Sequence, residues 1–209
     1  VVGGLELARR KMRLKPEEAL RHIDNATEGA NRAAALTRRL LAFARSEPLL
    51  PSAVDPDVLI AGMADLIDRT IGDQITVTFQ HEAQGWQIFV DQHQMENAIL
   101  NLCVNARDAM EGRGRLILAT GRATLAQGEV AECAAGDYVR MSVTDDGCGM
   151  TPEILARVFE PFFTTKPVGK GTGLGLTICR QLANQNGAVI EMESKPGDWT
   201  RVILRVPYA

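Results

Sequence analysis

Apolar positions divide the chain into two parts with different periods. Between Pro16 and Glu47, Leu20, Ile23, Ala26, Ala30, Ala33, Leu36, Leu40 and Phe43 recur at three- and four-residue steps, the spacing of one helical face. Pro16 suits a first helical turn, and Glu17 and Glu18 beside it favour the positive end of the helix dipole. Arg32, Arg38, Arg39 and Arg45 fill the polar remainder. The spacing therefore predicts one long helix over 16–47. Residues 1–13 read as the tail of another helix, joined by a turn near Leu14 and Lys15. Two antiparallel helices cannot bury both stripes alone, so this hairpin, residues 1–47, is expected to pair with a second copy as a four-helix bundle.

Pro48 and Pro51 interrupt helix and place a linker at residues 48–54. Beyond it the period changes. Residues 58–71 read as helix, 75–79 and 86–90 as strands, and 92–110 as a helix ended by Glu111-Gly-Arg-Gly114. Strands are expected at 115–124, 138–144, 188–193 and 200–206, with a helix from 173 to about 186. Consecutive strands near the end predict an α+β domain over residues 55–209, a mixed sheet with helices on one face: an α/β sandwich.

Composition adds mainly exclusions. The chain has 209 residues, of which 45% are hydrophobic and 23% charged, as in a soluble globular protein. A net charge of −3 gives no reason to expect a nucleic-acid partner. No apolar run approaches the roughly 20 residues that span a bilayer, and nothing at the start reads as a signal peptide. The chain begins at Val1, so it is expected to be a fragment of a cytoplasmic protein or part, with any membrane attachment supplied upstream. Cys103, Cys133, Cys148 and Cys179 form no CxxC pair and read as reduced thiols.

Four blocks carry chemistry. In the 92–110 helix, Asn101 and Asn105 share a face, with Glu96, Asn97 and Asp108 near that stripe. Carboxamide oxygens with a few carboxylates suit Mg²⁺ held partly by phosphate, while Ile99, Leu100, Leu102 and Val104 face the sheet. Next, Asp145 ends a strand and is followed by Gly147, Gly149 and Met150. A carboxylate accepts from an exocyclic amine, and glycines let backbone approach a flat base. That arrangement selects adenine over guanine, whose corresponding edge presents a carbonyl. Third, Phe159, Phe162 and Phe163 precede Thr164-Thr-Lys166, an aromatic anchor for a lid over 159–167. Last, Gly169-Lys170-Gly171-Thr172-Gly173-Leu174-Gly175 leads into a helix. Its spacing is neither a P-loop nor a dinucleotide fingerprint, yet glycines entering a helix N-terminus present amides to phosphate. Lys166 and Lys170 are placed to meet the phosphates.

Taken together, these blocks resemble the N, G1, F and G2 boxes of the histidine-kinase ATP-binding domain, in the superfamily that includes gyrase B, Hsp90 and MutL. The resemblance covers roughly residues 55–207. It implies that Asn101 and Asn105 hold Mg²⁺ and that Asp145 binds the adenine amino group. Thr200 matches the last element near the adenine, although Trp199 stands where the usual Gly-x-Gly-Thr pattern has its second glycine. Phe159-Glu-Pro-Phe-Phe-Thr-Thr-Lys166, Asn105-Ala-Arg-Asp-Ala-Met110 and Leu40-Leu-Ala-Phe-Ala-Arg45 are similar to the branch containing many bacterial hybrid sensor kinases.

The resemblance implies transfer of the ATP γ-phosphoryl group to a histidine, then to a response-regulator aspartate. The acceptor histidine sits on the first helix in that family, two to three turns upstream of Val1, so this chain alone is not expected to phosphorylate itself. His22 lies on the second helix with no acidic residue directly after it, and reads as an ordinary bundle residue; His81 and His93 read as ordinary too. Glu96 is the candidate for orienting the nucleophile or water. The alternatives are an ATPase of the gyrase or Hsp90 type and a non-catalytic module that docks a response regulator.

Overall fold

The first helical period is realised as α1 (Val2–Lys11) and α2, described over residues 16–27, in a computed structural model that describes residues 2–12, 15–27, 29–30, 49–167 and 171–209. Arg9, Arg10 and Lys11 end α1 on the favourable side of its dipole. Lys11 and Lys15 then converge on Glu18, at 2.5 and 2.7 Å. Their hydrogen bonds, that of Lys11 first, hold the Glu18 carboxyl down at about 2. Ala8, Ala19 and Ala26 are buried, whereas Val2, Leu7, Met12 and Leu20 stay exposed. The expected continuation over 31–47 and the turn residue Leu14 lie outside the described residues. Residues 1–47 group with 165–172 as one compact unit, and residues 48–164 with 173–209 as another.

The second unit opens with β1 (Ser52–Val54), which lies inside the segment expected to be linker. Three short residues with one buried apolar side chain, Val54, carry little strand signal. What orders them is antiparallel pairing with β3 (Ile88–Val90), after β2 (Ile75–Gln80). Between β1 and β2 the single helix expected over 58–71 is two: α3 (Pro56–Gly62) and α4 (Ala64–Ile71). Asp55 caps the first through the Asp57 and Val58 amides. Gly62 weakens the helix where Met63 closes one turn and starts the next.

α5 (Gln92–Ala109) follows, capped by Asp91, whose side chain accepts from Gln94 N–H. Then come β4 (Gly114–Leu125), β5 (Gly136–Asp145), the short α6 (Pro152–Leu155), α7 (Gly175–Gln185), β6 (Val189–Lys195) and β7 (Trp199–Pro207). The main sheet has the order β2-β4-β5-β7-β6. Its β2–β4 pair is parallel and the rest antiparallel, so the sheet is mixed, as expected. Leu116, Leu118, Val139, Met141, Val202, Leu204 and Val206 form its buried face. They pack with Met95, Ile99, Leu102 and Cys103 of α5 and Cys179 and Ala183 of α7. The intervening Arg140, Thr144, Arg201 and Arg205 remain half-exposed on the opposite face. This is the α/β sandwich that the strand order predicted.

Candidate nucleotide site

β5 carries Asp145 to the end of the central strands, opposite Leu116 of β4 and Thr200 of β7. Asp145 is buried, with 6% of the residue exposed. Burial pushes its carboxyl up to about 6, against the pull of the Gly147 N–H, which donates to Oδ1 at 3.0 Å. That is the one hydrogen bond it accepts among the described residues, so acceptor capacity remains for a ligand donor.

The loop after Asp145 is pinned on both sides. A Cβ on Gly147 would lie 2.8 Å from the carbonyl of Ala109, and the same carbonyl accepts from Cys148 N–H at 3.1 Å. Gly149 has φ +60, and a Cβ there would be 2.0 Å from the Lys195 carbonyl oxygen. Gly197 N–H in turn donates to the Cys148 carbonyl at 2.7 Å. The glycines thus let the loop pass between the end of α5 and the β6–β7 turn, close enough for backbone to face a planar ring.

Ser194 is the residue that sequence reasoning missed. Its hydroxyl accepts from Met150 N–H at 2.8 Å and donates to the Trp199 carbonyl at 2.9 Å. A hydroxyl has one proton, so Thr200 must be the donor in the 2.9 Å Ser194–Thr200 contact. Thr200 therefore keeps lone pairs for a ligand beside Asp145. No motif marks Ser194; only its position six residues before Thr200, across the hairpin, puts it there. Trp199 replaces a glycine without strain: it begins β7 opposite Lys195, and the Arg201 guanidinium lies 5.6 Å from its ring.

On α5, Asn101 and Asn105 are half-buried on one stripe. The Asn105 carboxamide lies against Gly175, where an added Cβ would be 3.3 Å from Nδ2 and 3.5 Å from Oδ1. Its Nδ2 is buried and has no partner among the described residues. A buried amide left unpaired costs roughly 1–3 kcal/mol, which ligand oxygens would relieve. Among the described residues no cluster of three or more His, Cys, Asp or Glu side chains could hold a metal. An oxygen-seeking cation at this stripe would rely on carboxamide oxygens and phosphate, a set that fits Mg²⁺.

Of the residues expected near that stripe, Asp108 keeps its phase, within about 20° of Asn97, and Glu96 does not. Glu96 stands nine residues before Asn105, roughly 180° around the helix, where it accepts from Gln92 Nε2 at 2.9 Å and lies 3.4 Å from His93 Nδ1. Asp108 is exposed, and Arg107 donates to its Oδ1 at 3.0 Å while also holding the Thr70 carbonyl.

The aromatic block behaves partly as an anchor. Phe159 and Phe163 are half-buried under Arg180 and Arg157, at 5.4 and 4.5 Å from the ring centres, while Phe162 is 66% exposed. Phe162 N–H donates to the Gly173 carbonyl at 3.0 Å, and Gly173 has φ +63 with no room for a Cβ. Leu174 is buried and precedes the first turn of α7, which opens at Gly175. Lys166, Gly171 and Thr172 belong to the compact unit containing residues 1–47, and Lys170 lies outside the described residues.

Residues 90–209, more than half of the chain, match the family described as histidine kinase-, DNA gyrase B- and HSP90-like ATPase. The chain belongs to this ATPase family. ATP binding is thus a property of the domain built on α5 and the sheet. The sensor kinase CckA of Brucella abortus (strain 2308) is 39% identical over 188 residues, 88% of this chain and 20% of that protein. The two-component sensor PprA of Pseudomonas aeruginosa is 34% identical, over 83% of this chain and 18% of that one. The chain spans about a fifth of the length of these two curated relatives. Among solved structures, full-length ShkA in complex with AMPPNP covers 99% of this chain at TM-score 0.72 and 24% identity, using 42% of its own length. Histidine kinase ThkA in complex with response regulator TrrA covers 100% of this chain at TM-score 0.73 and 21% identity, using 57% of its length. Those two likenesses concern the fold.

Proposed function

We propose that this chain is the ATP-binding catalytic part of a sensor histidine kinase. It binds ATP with Mg²⁺ and passes the γ-phosphoryl group to a histidine supplied by a neighbouring helix. The observation that carries the reading is the buried Asp145 carboxyl with spare acceptor capacity, beside a glycine loop with no room for side chains. An adenine amine donates to Asp145 and satisfies a charge that the fold holds away from water. Guanine would set a carbonyl against the same carboxylate. Thr200 supplies a second polar contact, and Gly147, Gly149 and Met150 shape the wall.

Towards the phosphates, Gly173, Leu174 and Gly175 lead into α7, whose first-turn amides face anions. The resemblance of the sequence motifs assigns phosphate contacts to Lys166, Lys170, Gly171 and Thr172 as well, and the anchoring of a lid to Phe159 and Phe163. Asn101 and Asn105 would hold Mg²⁺ through their carboxamide oxygens, and the ion would neutralise phosphate charge there. A neutral imidazole nitrogen is itself nucleophilic. The chain's work is therefore to hold the nucleotide in line and exclude water; ADP leaves as the N–P bond forms. The phosphoryl group then passes to a response-regulator aspartate, on the cytoplasmic side of the cell. Two copies pair through the hairpin, a reading supported by the exposed Leu7, Met12 and Leu20. Among the described residues no helix is long and apolar enough to cross a membrane.

The test supplies γ-labelled ATP and a separately prepared helical hairpin bearing an acceptor histidine. Acid-labile label on the supplied histidine, and none on His22, is the expected result. Phosphate release without transfer would instead establish an ATPase of the gyrase or Hsp90 type. Absence of nucleotide binding would leave a docking module.

A further inference from the structure

The amide stripe of α5 extends one step beyond the residues assigned so far. Asn97, Asn101 and Asn105 follow at four-residue intervals, each step advancing about 6 Å and turning only about 40°. Ala109 is the next position and marks the base end, because its carbonyl meets Cys148 N–H and abuts Gly147. From there Asn105 meets Gly175 at the start of α7, Asn101 follows, and Asn97 stands about 18 Å along the helix axis. This is the scale of an extended nucleoside triphosphate.

Exposure rises in the same direction: Asn105 and Asn101 are half-buried and Asn97 is exposed. Among the described residues neither the Asn97 nor the Asn101 side chain has a hydrogen-bond partner. Glu96, the neighbouring carboxylate, is turned roughly 100° away and is engaged with Gln92. As an anion it would also repel a phosphoryl group.

We propose that Asn97 meets the terminal phosphoryl group of the triphosphate, its amide N–H donating to a γ-phosphoryl oxygen. The assignment rests on the nucleotide-binding reading above. A neutral donor suits this end of the site, since it stabilises charge on the phosphoryl oxygens without competing for the phosphorus. Asn97 thereby separates triphosphate from diphosphate, whereas Asp145 and Asn105 act on both.

The experiment is calorimetric titration of the chain with ATP and with ADP, each with Mg²⁺, for the unmodified protein and for Asn97→Ala, Asn97→Gln and Glu96→Gln. Asn97→Ala should weaken ATP by about tenfold, the scale of one hydrogen bond to a charged group, and leave ADP within about twofold. Asn97→Gln should restore part of the loss, and Glu96→Gln should leave both nucleotides unchanged. Retained ADP binding in Asn97→Ala also certifies its fold; were that variant to lose ADP as well, Asn97→Gln decides. An unchanged ATP-to-ADP ratio in the Asn97 variants, with tight binding by the unmodified chain, overturns this assignment alone. Failure of the unmodified chain to bind either nucleotide overturns the nucleotide site and this assignment with it.

Discussion

Asp145→Asn should make the nucleotide-free protein more stable at neutral pH. The folded carboxyl titrates at about 6 against an ordinary value of 3.8, because burial disfavours its charge. Below pH 4 the group is protonated in both folded and unfolded chains, and its full stabilising contribution is present. As pH rises through 6 the folded chain is forced to bury a charge, and that contribution is lost. A shift of about 2 pH units corresponds to about 3 kcal/mol, or roughly 2 kcal/mol once residual solvent screening is discounted. Asparagine has the same shape, still accepts from Gly147 N–H and carries no charge. The variant should therefore exceed the parent by roughly 2 kcal/mol at pH 7.5 and match it near pH 4. Urea unfolding without nucleotide, followed by the fluorescence of Trp86 and Trp199, reads this directly, since both tryptophans belong to the unit containing Asp145. A variant less stable than the parent at pH 7.5 would refute the reasoning and make Asp145 a structural carboxylate.

Other perturbations separate architecture from ligand contact. Gly149→Ala combines φ +60 with a Cβ 2.0 Å from the Lys195 carbonyl oxygen, and should lower the urea midpoint by well over the ~1 kcal/mol expected for left-handed strain alone. Gly197→Ala, at φ +74 in open space, should show only that smaller cost. Asn105→Ala removes the unpaired buried amide, so apo stability should hold or rise while Mg-ATP affinity falls by at least about tenfold in calorimetry. Trp199→Gly removes the Arg201 contact and frees backbone in a strand; about 1 kcal/mol should be lost in unfolding, with ATP affinity within about twofold of the parent.

The parts legible in the sequence were those whose signal is local. Alternation along 115–124 and 138–144 locates β4 and β5 within two residues, because one face of each is buried against α5. Asp145, Gly147 and Gly149 stand out because a strand end, a carboxylate and required glycines are adjacent in the chain. What escaped depends on distant partners. β1 exists through pairing with β3, well beyond α3 and α4 in the chain, and Ser52-Ala-Val54 has no pattern of its own. α6 is a single turn after Thr151-Pro152, too short for periodicity. Ser194 joins the site only because hairpin pairing sets it opposite Thr200. Glu96 departs for a different reason: nearness in sequence to Asn101 is not helical phase, and of the expected neighbours Glu96 and Asn97 only Asn97 keeps the stripe.

The most direct test of the nucleotide-binding account is calorimetric titration of the chain with ATP and Mg²⁺, beside Asp145→Asn and beside GTP. The account predicts micromolar-range binding, about −8 kcal/mol, weakened at least about tenfold in the variant, with GTP failing to compete. No binding by the unmodified chain, or equal affinity in Asp145→Asn, would contradict it.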